Sequence, residues 1–213
     1  MMTQYKYCAG VLPYCYYNNC LYFLLGKSKR NNRLITFSGK NDELEEDPCE
    51  TAAREGYEET LGCIFDKFTL LERVRRCERV LISKTPRGMP CYTYAIEVPF
   101  RRHYTTCFNK TRDFLCCLGL NKMYHLQEMV DIKWVCANTM FTKIRKGWEK
   151  NNILQSEEEW EKLLTLVRTQ NECVSWWRRI EESDFEDDDG EEIIMDQQGL
   201  LSDPPTQPCP KKN

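Results

Sequence analysis

Short apolar runs alternate with turn residues through the first eighty positions. Residues 7–14 and 21–26 are two such runs, with Tyr17-Asn18-Asn19 between them, and predict two strands joined by a tight turn. Residues 34–37 predict a third short strand, stopped by Ser38-Gly39. The pattern then changes period. Residues 48–61 read as a helix: Asp47 can cap it, Pro48 suits its first position, and Glu50 completes a capping box. Residues 68–77 and 79–83 read as extended, 84–89 as a turn, and 91–98 as a strong strand ended by Pro99. A short helix is predicted over 108–120 and a strand over 131–135. Residues 156–182 carry Trp160, Leu163, Leu164, Val167 and Val174 at helical spacing, with Ser156 and Glu159 repeating the capping pattern.

Composition adds a boundary. The chain has 213 residues with a formal net charge of −3, and that value conceals a split. From Ser183 onward there are nine acids and two bases, −7, so the remainder carries +4. The acidic, then Pro-containing stretch 183–213 predicts a disordered tail, and residues 1–182 one folded domain with enough aromatic side chains for a sizeable core. No run reaches the roughly 18 apolar residues of a membrane span, and the N-terminus lacks the charged start and apolar core of a secretory signal. A cytoplasmic location is the expectation. Thirteen cysteines without a C-x-x-C then read as reduced thiols packed as small apolar groups. A ligand set of His103, Cys107, Cys116, Cys117 and His125 has no zinc-like spacing.

Chemistry concentrates on the helix from Pro48. Glu55 and Glu59 lie about 40° apart around it, and Glu55 and Glu58 about 60° apart. Three carboxylates on one face repel one another. Their placement makes sense where a hard divalent cation, Mg²⁺ or Mn²⁺, joins them. Arg54 can pair with Glu50 one turn back, or reach into the preceding loop and hold it.

With its upstream strand and loop, this helix resembles the Nudix hydrolase signature. The matching positions are Gly39, Glu46, Arg54-Glu55, Gly56, Tyr57, Glu58-Glu59 and Gly62, with Glu45 a competing match for the first acid. Gly56 stands where the family has an aliphatic residue, Leu61 where it has Gly, Ser38 where many members have a second Gly, and the spacings from Gly39 to Glu46 and from Glu59 to Gly62 are each one residue longer than usual. The segment Glu128 to Val135 resembles the acidic–apolar–Trp strand late in the same fold. The resemblance implies an α/β/α sandwich with a mixed sheet. It implies Mg²⁺- or Mn²⁺-dependent hydrolysis of a phosphoanhydride in a nucleoside-diphosphate-linked substrate: a nucleotide, a dinucleoside polyphosphate or capped RNA. Metal would be held by Gly39, Glu55, Glu58 and Glu59. Arg54 would support the loop, and Glu55, Glu97 or Glu128 would serve as general base. The Cys- and Asn-rich texture is similar to Nudix proteins of large DNA viruses, which would place the chain in a host cytoplasm.

Substrate choice stays open at this level. Between Arg73 and Arg112 lie ten bases and two acids, a stretch that suits a polyphosphate or RNA and equally a solvated hairpin. Tyr14, Tyr16, Tyr17, Tyr92, Tyr94 and Trp134 are candidates to stack a base, with core packing as their other use. Trp176-Trp177 are expected to pack across the body. Two other functions fit the sequence: a noncatalytic nucleotide- or RNA-binding module on this fold, and an interaction protein acting through its acidic tail. No feature specifies an oligomer.

Overall fold

The computed structural model describes residues 7–41, 46–85, 88–120, 128–140 and 157–167. Strand β1 (Cys8–Tyr17) turns into β2 (Cys20–Ser28) through Asn18 and Asn19, both with positive φ, 49° and 59°. Asparagine tolerates that region, and two consecutive positive φ values match the right-handed twist of a hairpin. Short strands β3 (Leu34–Ile35) and β4 (Phe37–Lys40) follow. Ser38 and Gly39 thus lie within a strand instead of ending one, because β4 pairs antiparallel with the start of β1, Gly39 opposite Ala9.

Helix α1 (Pro48–Glu59) forms as expected: Asp47 accepts from the Glu50 amide at 2.8 Å, and Glu50 accepts from the Asp47 amide at 3.2 Å. Its C-terminal end is a Schellman turn, with the Gly62 amide donating to Tyr57 O at 2.9 Å and the Leu61 amide to Glu58 O at 3.1 Å. Leu61 occupies the left-handed position, φ 54°, usually given to glycine; its side chain packs against the core, which offsets the strain.

The next segment corrects the sequence reading. Residues 68–77 are not extended; Lys67–Arg75 form helix α2. Asp66 caps it, accepting from Phe68 N at 3.1 Å and Thr69 N at 2.9 Å, while Leu70 and Val74, four apart, face inward. Strands β5 (Val80–Lys84) and β6 (Pro90–Glu97) follow. Helix α3 (His103–Cys117) starts five residues before its expected beginning, because Tyr104 and Phe108 supply the buried face of an earlier turn. Then come β7 (Met129–Cys136) and α4 (Glu157–Val167). The remainder of the long helix expected to 182, with Trp176-Trp177 and the acidic tail, lies outside the described residues.

The seven strands make one mixed sheet that forks. Strand β1 pairs in parallel with β6 along one edge; on its other edge it pairs first with β4 and then with β2. Strand β2 runs on to pair with β7 and β3. Ala9, Val11, Leu24 and Ile96 project to the side of α1, α2 and α3, into a core with Ala52, Ala53, Leu70 and Phe108. Phe23 points the opposite way from Leu24, as strand alternation requires, and meets Trp160 of α4 at 6.0 Å. Helices therefore cover both faces of a mixed sheet, which is the expected α/β/α sandwich. Among the described residues no helix is long and apolar enough to cross a membrane.

Gly56 sets how closely α1 approaches the sheet. A Cβ there would lie 2.6 Å from Val11 Cγ2 and 2.9 Å from Leu70 Cδ2. The aliphatic side chain of the signature has no room here. Gly56→Leu is expected to destabilise by about 1–3 kcal/mol through overpacking, despite the better helix propensity of leucine. A thermal melt would show the midpoint falling by about 2–4 °C per kcal/mol.

Candidate metal centre

The loop before α1 is tied to the helix by one side chain. Arg54 donates through Nε to Glu46 Oε1 at 2.9 Å and through Nη2 to Glu46 Oε2 at 3.3 Å, a two-pronged grip. The same guanidinium donates to Glu55 Oε1 at 2.8 Å, to Glu58 Oε2 at 3.4 Å and to the Lys40 carbonyl at 2.9 Å. Of the two roles open to Arg54, loop support is the one observed. Glu50 pairs instead with Arg75 at 2.9 Å. Glu46 is the acid that Arg54 holds; Glu45 lies outside the described residues. Tyr7 adds a second tie that the sequence pattern did not signal: its hydroxyl donates to the Glu46 carbonyl, and Thr51 donates to the Tyr7 oxygen at 3.4 Å.

Gly39 makes space for a carboxylate. A Cβ at that position would lie 2.2 Å from the Glu55 carboxyl carbon, so only glycine lets the Glu55 side chain rest on β4. Gly39→Ala should consequently push Glu55 off its seat while the strand pairing survives. The expected result is at least tenfold weaker Mn²⁺ or Mg²⁺ binding with a metal-free melting temperature close to the parent's, read by isothermal titration and scanning calorimetry.

Glu59, one turn beyond Glu55, is 2% exposed. It accepts a hydrogen bond from the Ser38 backbone and shares one with Glu128, which stands immediately before β7. The Lys29 amide donates to the Glu128 carbonyl at 2.8 Å, fixing the approach to β7 against the end of β2. One oxygen each from Glu55, Glu59 and Glu128 lies within 4.8 Å of the others. Glu128, 69 positions after Glu59 in the chain, thus joins the helix acids; the late-strand resemblance was its only signal in the sequence. Glu58, half-buried beside Arg54, stands outside this trio.

Burial dominates the electrostatics. It pushes the Glu55 carboxyl up to about 7, against the pull of the Arg54 charge. Burial likewise holds Glu59 well above the ordinary carboxylate range, with the negative charge of Glu55 adding to it. Glu59 Oε2 is buried with no hydrogen-bond partner. Three converging carboxylate oxygens, with a buried unpartnered oxygen on Glu59, are a donor set that fits a hard divalent cation.

A pH dependence follows. The Glu55 carboxyl has an ordinary value near 4.5 and about 7 in the fold. The folded protein therefore holds a proton there that the unfolded chain releases above about pH 4.5. Without metal, stability from this group falls as pH rises from about 4.5 through 7, by about 3 kcal/mol in total. Metal-free wild type and Glu55→Gln, melted across pH 5–8, should diverge, with wild type losing ground as pH rises. Added Mn²⁺ or Mg²⁺ should raise the wild-type melting temperature more at pH 8 than at pH 5.5.

The remaining candidates are scattered. Glu97 ends β6, exposed, with its carbonyl accepting from Arg73 at 3.1 Å. Five positions of β1 separate Ala9, paired with Gly39, from Tyr14, paired with Glu97, about 17 Å of strand. His103, Cys107, Cys116 and Cys117 lie on α3, the cysteines exposed, and His125 lies outside the described residues. Among the described residues, the three glutamates alone form a group that could hold a metal. Tyr14 and Tyr94 are buried in the core, whereas Tyr16, Tyr17, Tyr92 and Trp134 stay partly accessible.

No protein-family model matches the chain, and no curated protein does. The solved structures to which it is similar include Nudix and Ap4A hydrolases. A C. elegans Ap4A hydrolase shares 15% identity with a TM-score of 0.43, covering 78% of this chain and 100% of that one. A binary complex of a C. elegans Ap4A hydrolase shares 14% identity, with a TM-score of 0.42 and 76% and 97% coverage. A NUDIX hydrolase from Alicyclobacillus acidocaldarius shares 13% identity, with a TM-score of 0.42 and 78% and 93% coverage.

Proposed function

We propose that the chain is a divalent-metal-dependent pyrophosphohydrolase of the Nudix kind. Its substrate class is a phosphoanhydride within a nucleoside-diphosphate-linked molecule: a nucleotide, a dinucleoside polyphosphate or capped RNA. The observation that supports this most directly is the trio of Glu55, Glu59 and Glu128 with carboxylate oxygens within 4.8 Å of one another, Glu59 Oε2 being buried without a hydrogen-bond partner.

A bound Mg²⁺ or Mn²⁺ would neutralise phosphate charge and lower the pKa of a coordinated water. Glu55, Glu59 and Glu128 would supply its anionic oxygens. Glu58, at the exposed side of the cluster, and the Gly39 backbone beside the Glu55 carboxyl would add oxygens at its margin. Arg54 does no bond-breaking in this reading; it fixes Glu46, the loop and one oxygen of Glu55. The second oxygen of Glu55 then has a defined direction, and a carboxyl titrating near neutrality is suited to accept a proton from an attacking water. The burial of Glu55 and Glu59 strengthens the electrostatic part of these interactions.

The test is metal-dependent product release over ADP-ribose, NADH, dinucleoside polyphosphates, nucleoside triphosphates, diphosphoinositols and capped RNA, with Glu59→Gln as the control. Hydrolysis of at least one substrate that needs Mg²⁺ or Mn²⁺ and disappears in the variant is the expected result. Metal-independent binding without release across the whole panel would replace this reading with a noncatalytic nucleotide-binding one.

A further inference from the structure

At the opposite end of β1 from the glutamates, the fold builds a hollow of about 600 Å³. Its walls carry Arg73 from α2, Arg76 at the C-cap of that helix and Arg79 from the following segment, with Glu97 the acid among the lining residues. Three guanidiniums against one carboxylate leave a positive hollow. None of them is neutralised inside it. Arg73 donates to the carbonyl of Glu97 and lies 5.2 Å over the Phe65 ring. Arg76 touches only exposed Glu72 on its own helix, at 3.8 Å, and its side chain is 80% exposed. Arg79 hydrogen-bonds the Tyr14 phenol.

The floor continues into an aromatic shelf. Phe100 lines the hollow and stacks on Tyr17 at 4.3 Å, with Tyr22 at 5.8 Å and Trp134 at 5.3 Å. All four rings are partly accessible, and exposed Arg101 and Arg102 follow Phe100 directly. The Trp134 indole donates to the Arg101 carbonyl at 3.1 Å, which fixes the shelf against that basic turn. Partly accessible rings gathered from separate elements into one patch mark an interaction surface more than scattered single ones do. Guanidiniums that grip a phosphodiester backbone beside flat rings that take bases are what single-stranded nucleic acid requires.

We infer that this arginine hollow and its aromatic shelf bind single-stranded RNA. It deepens the proposed hydrolase reading, since a strand held there would place a nucleic-acid end about 17 Å of strand away along β1, at the glutamates. The binding itself stands apart from hydrolysis. Each arginine grips one phosphate, and the shelf stacks bases without regard to sequence.

The experiment uses the full chain and a 12-residue oligouridylate with a 5′ hydroxyl and a 3′ fluorophore, read by anisotropy with Mg²⁺ present. That oligonucleotide holds no phosphoanhydride, so its binding is independent of whether the protein is a hydrolase. Wild type should bind, with log K falling against log[salt]. The triple variant Arg73→Gln, Arg76→Gln, Arg79→Gln should weaken binding at least tenfold and reduce the magnitude of the slope by about 2, since each single-strand phosphate contact contributes about 0.7. Arg76→Glu, at an exposed position that cannot disturb the fold, and Phe100→Ala should each weaken binding on their own. No binding by wild type, or binding by Arg76→Glu and the triple variant as tight as that of wild type, overturns the inference. So does displacement of the oligonucleotide by equimolar ADP or inorganic phosphate, which would make the hollow a small-anion site.

Discussion

Glu59→Gln should cost turnover on the order of 10³-fold while making the metal-free protein more stable at pH 8. The two effects come from one cause. Removing a group that supports charge stabilisation at the reacting centre carries a kinetic penalty of about that order. The same carboxyl is 2% exposed, with one oxygen lacking any partner. Burial and the neighbouring charges of Glu55 and Glu128 all oppose its ionisation. A neutral amide of the same shape removes that repulsion, and its N–H₂ can donate to either neighbouring carboxylate. The sign is specific. Its carboxyl titrates well above the ordinary range in the fold, so below about pH 4.5 wild type and variant should melt alike. As pH rises, the folded wild type must either retain a proton or bear a buried charge, and the gap should open in favour of the variant. Saturating Mn²⁺ should close the gap by stabilising wild type alone. Calorimetry in chelator and in metal, beside kinetics on the best substrate, reads all of this. A variant that stays active, or one that is less stable in chelator, would exclude Glu59 from a metal centre.

How far the sequence disclosed this architecture depended on whether the signals were local. The α1 cap, the β1–β2 hairpin and the shared face of Glu55 and Glu59 are set by residues within a few positions of one another, and all were legible. The α2 segment imitates a strand in sequence, because Arg73-Val74-Arg75 alternates charged and apolar positions. The stronger local cue was Asp66, whose carboxylate takes the first free amides of the helix. Ser38-Gly39 looked like a stop because glycine usually breaks a strand; here it is retained within β4 to seat a side chain from another element. Gly56 is similar: nothing in the helix explains it, and only Val11 and Leu70, brought in by the fold, do. The Glu59–Glu128 contact joins a helix end to a strand start, a pairing that no spacing encodes. Glu97, by contrast, was plausible by sequence order and lies at the far end of β1, in the arginine hollow.

Replacing Arg54 by Ala should destabilise the fold by about 3–5 kcal/mol, the scale of removing one partner from a buried ion-pair network. Its side chain is 14% exposed, and those of Glu46 and Glu55 are 9% and 11% exposed, so two carboxylates with little water around them would both lose the guanidinium they share. The denaturant midpoint should drop with the m value unchanged, as expected when stability alone is altered. Exposed Lys162, paired with Glu158 at 2.6 Å on α4, is the control: Lys162→Ala should leave the midpoint where it is, although this pair is as close as those of Arg54. Arg54→Lys separates charge from geometry. An ammonium keeps the positive charge but cannot grip both Glu46 oxygens while donating to Glu55 and the Lys40 carbonyl, so part of the stability returns and the loop stays loose. Kinetics should show the same division. Arg54 currently lowers the Glu55 pKa against burial, so its removal should let Glu55 rise further and move the acid limb of the rate profile to higher pH. Lysine should restore most of that limb but little of the turnover, because the limb reports charge and the turnover reports where the loop and the Glu55 oxygens are held. An unchanged acid limb in Arg54→Ala would separate Glu55 from the proton that limits the rate.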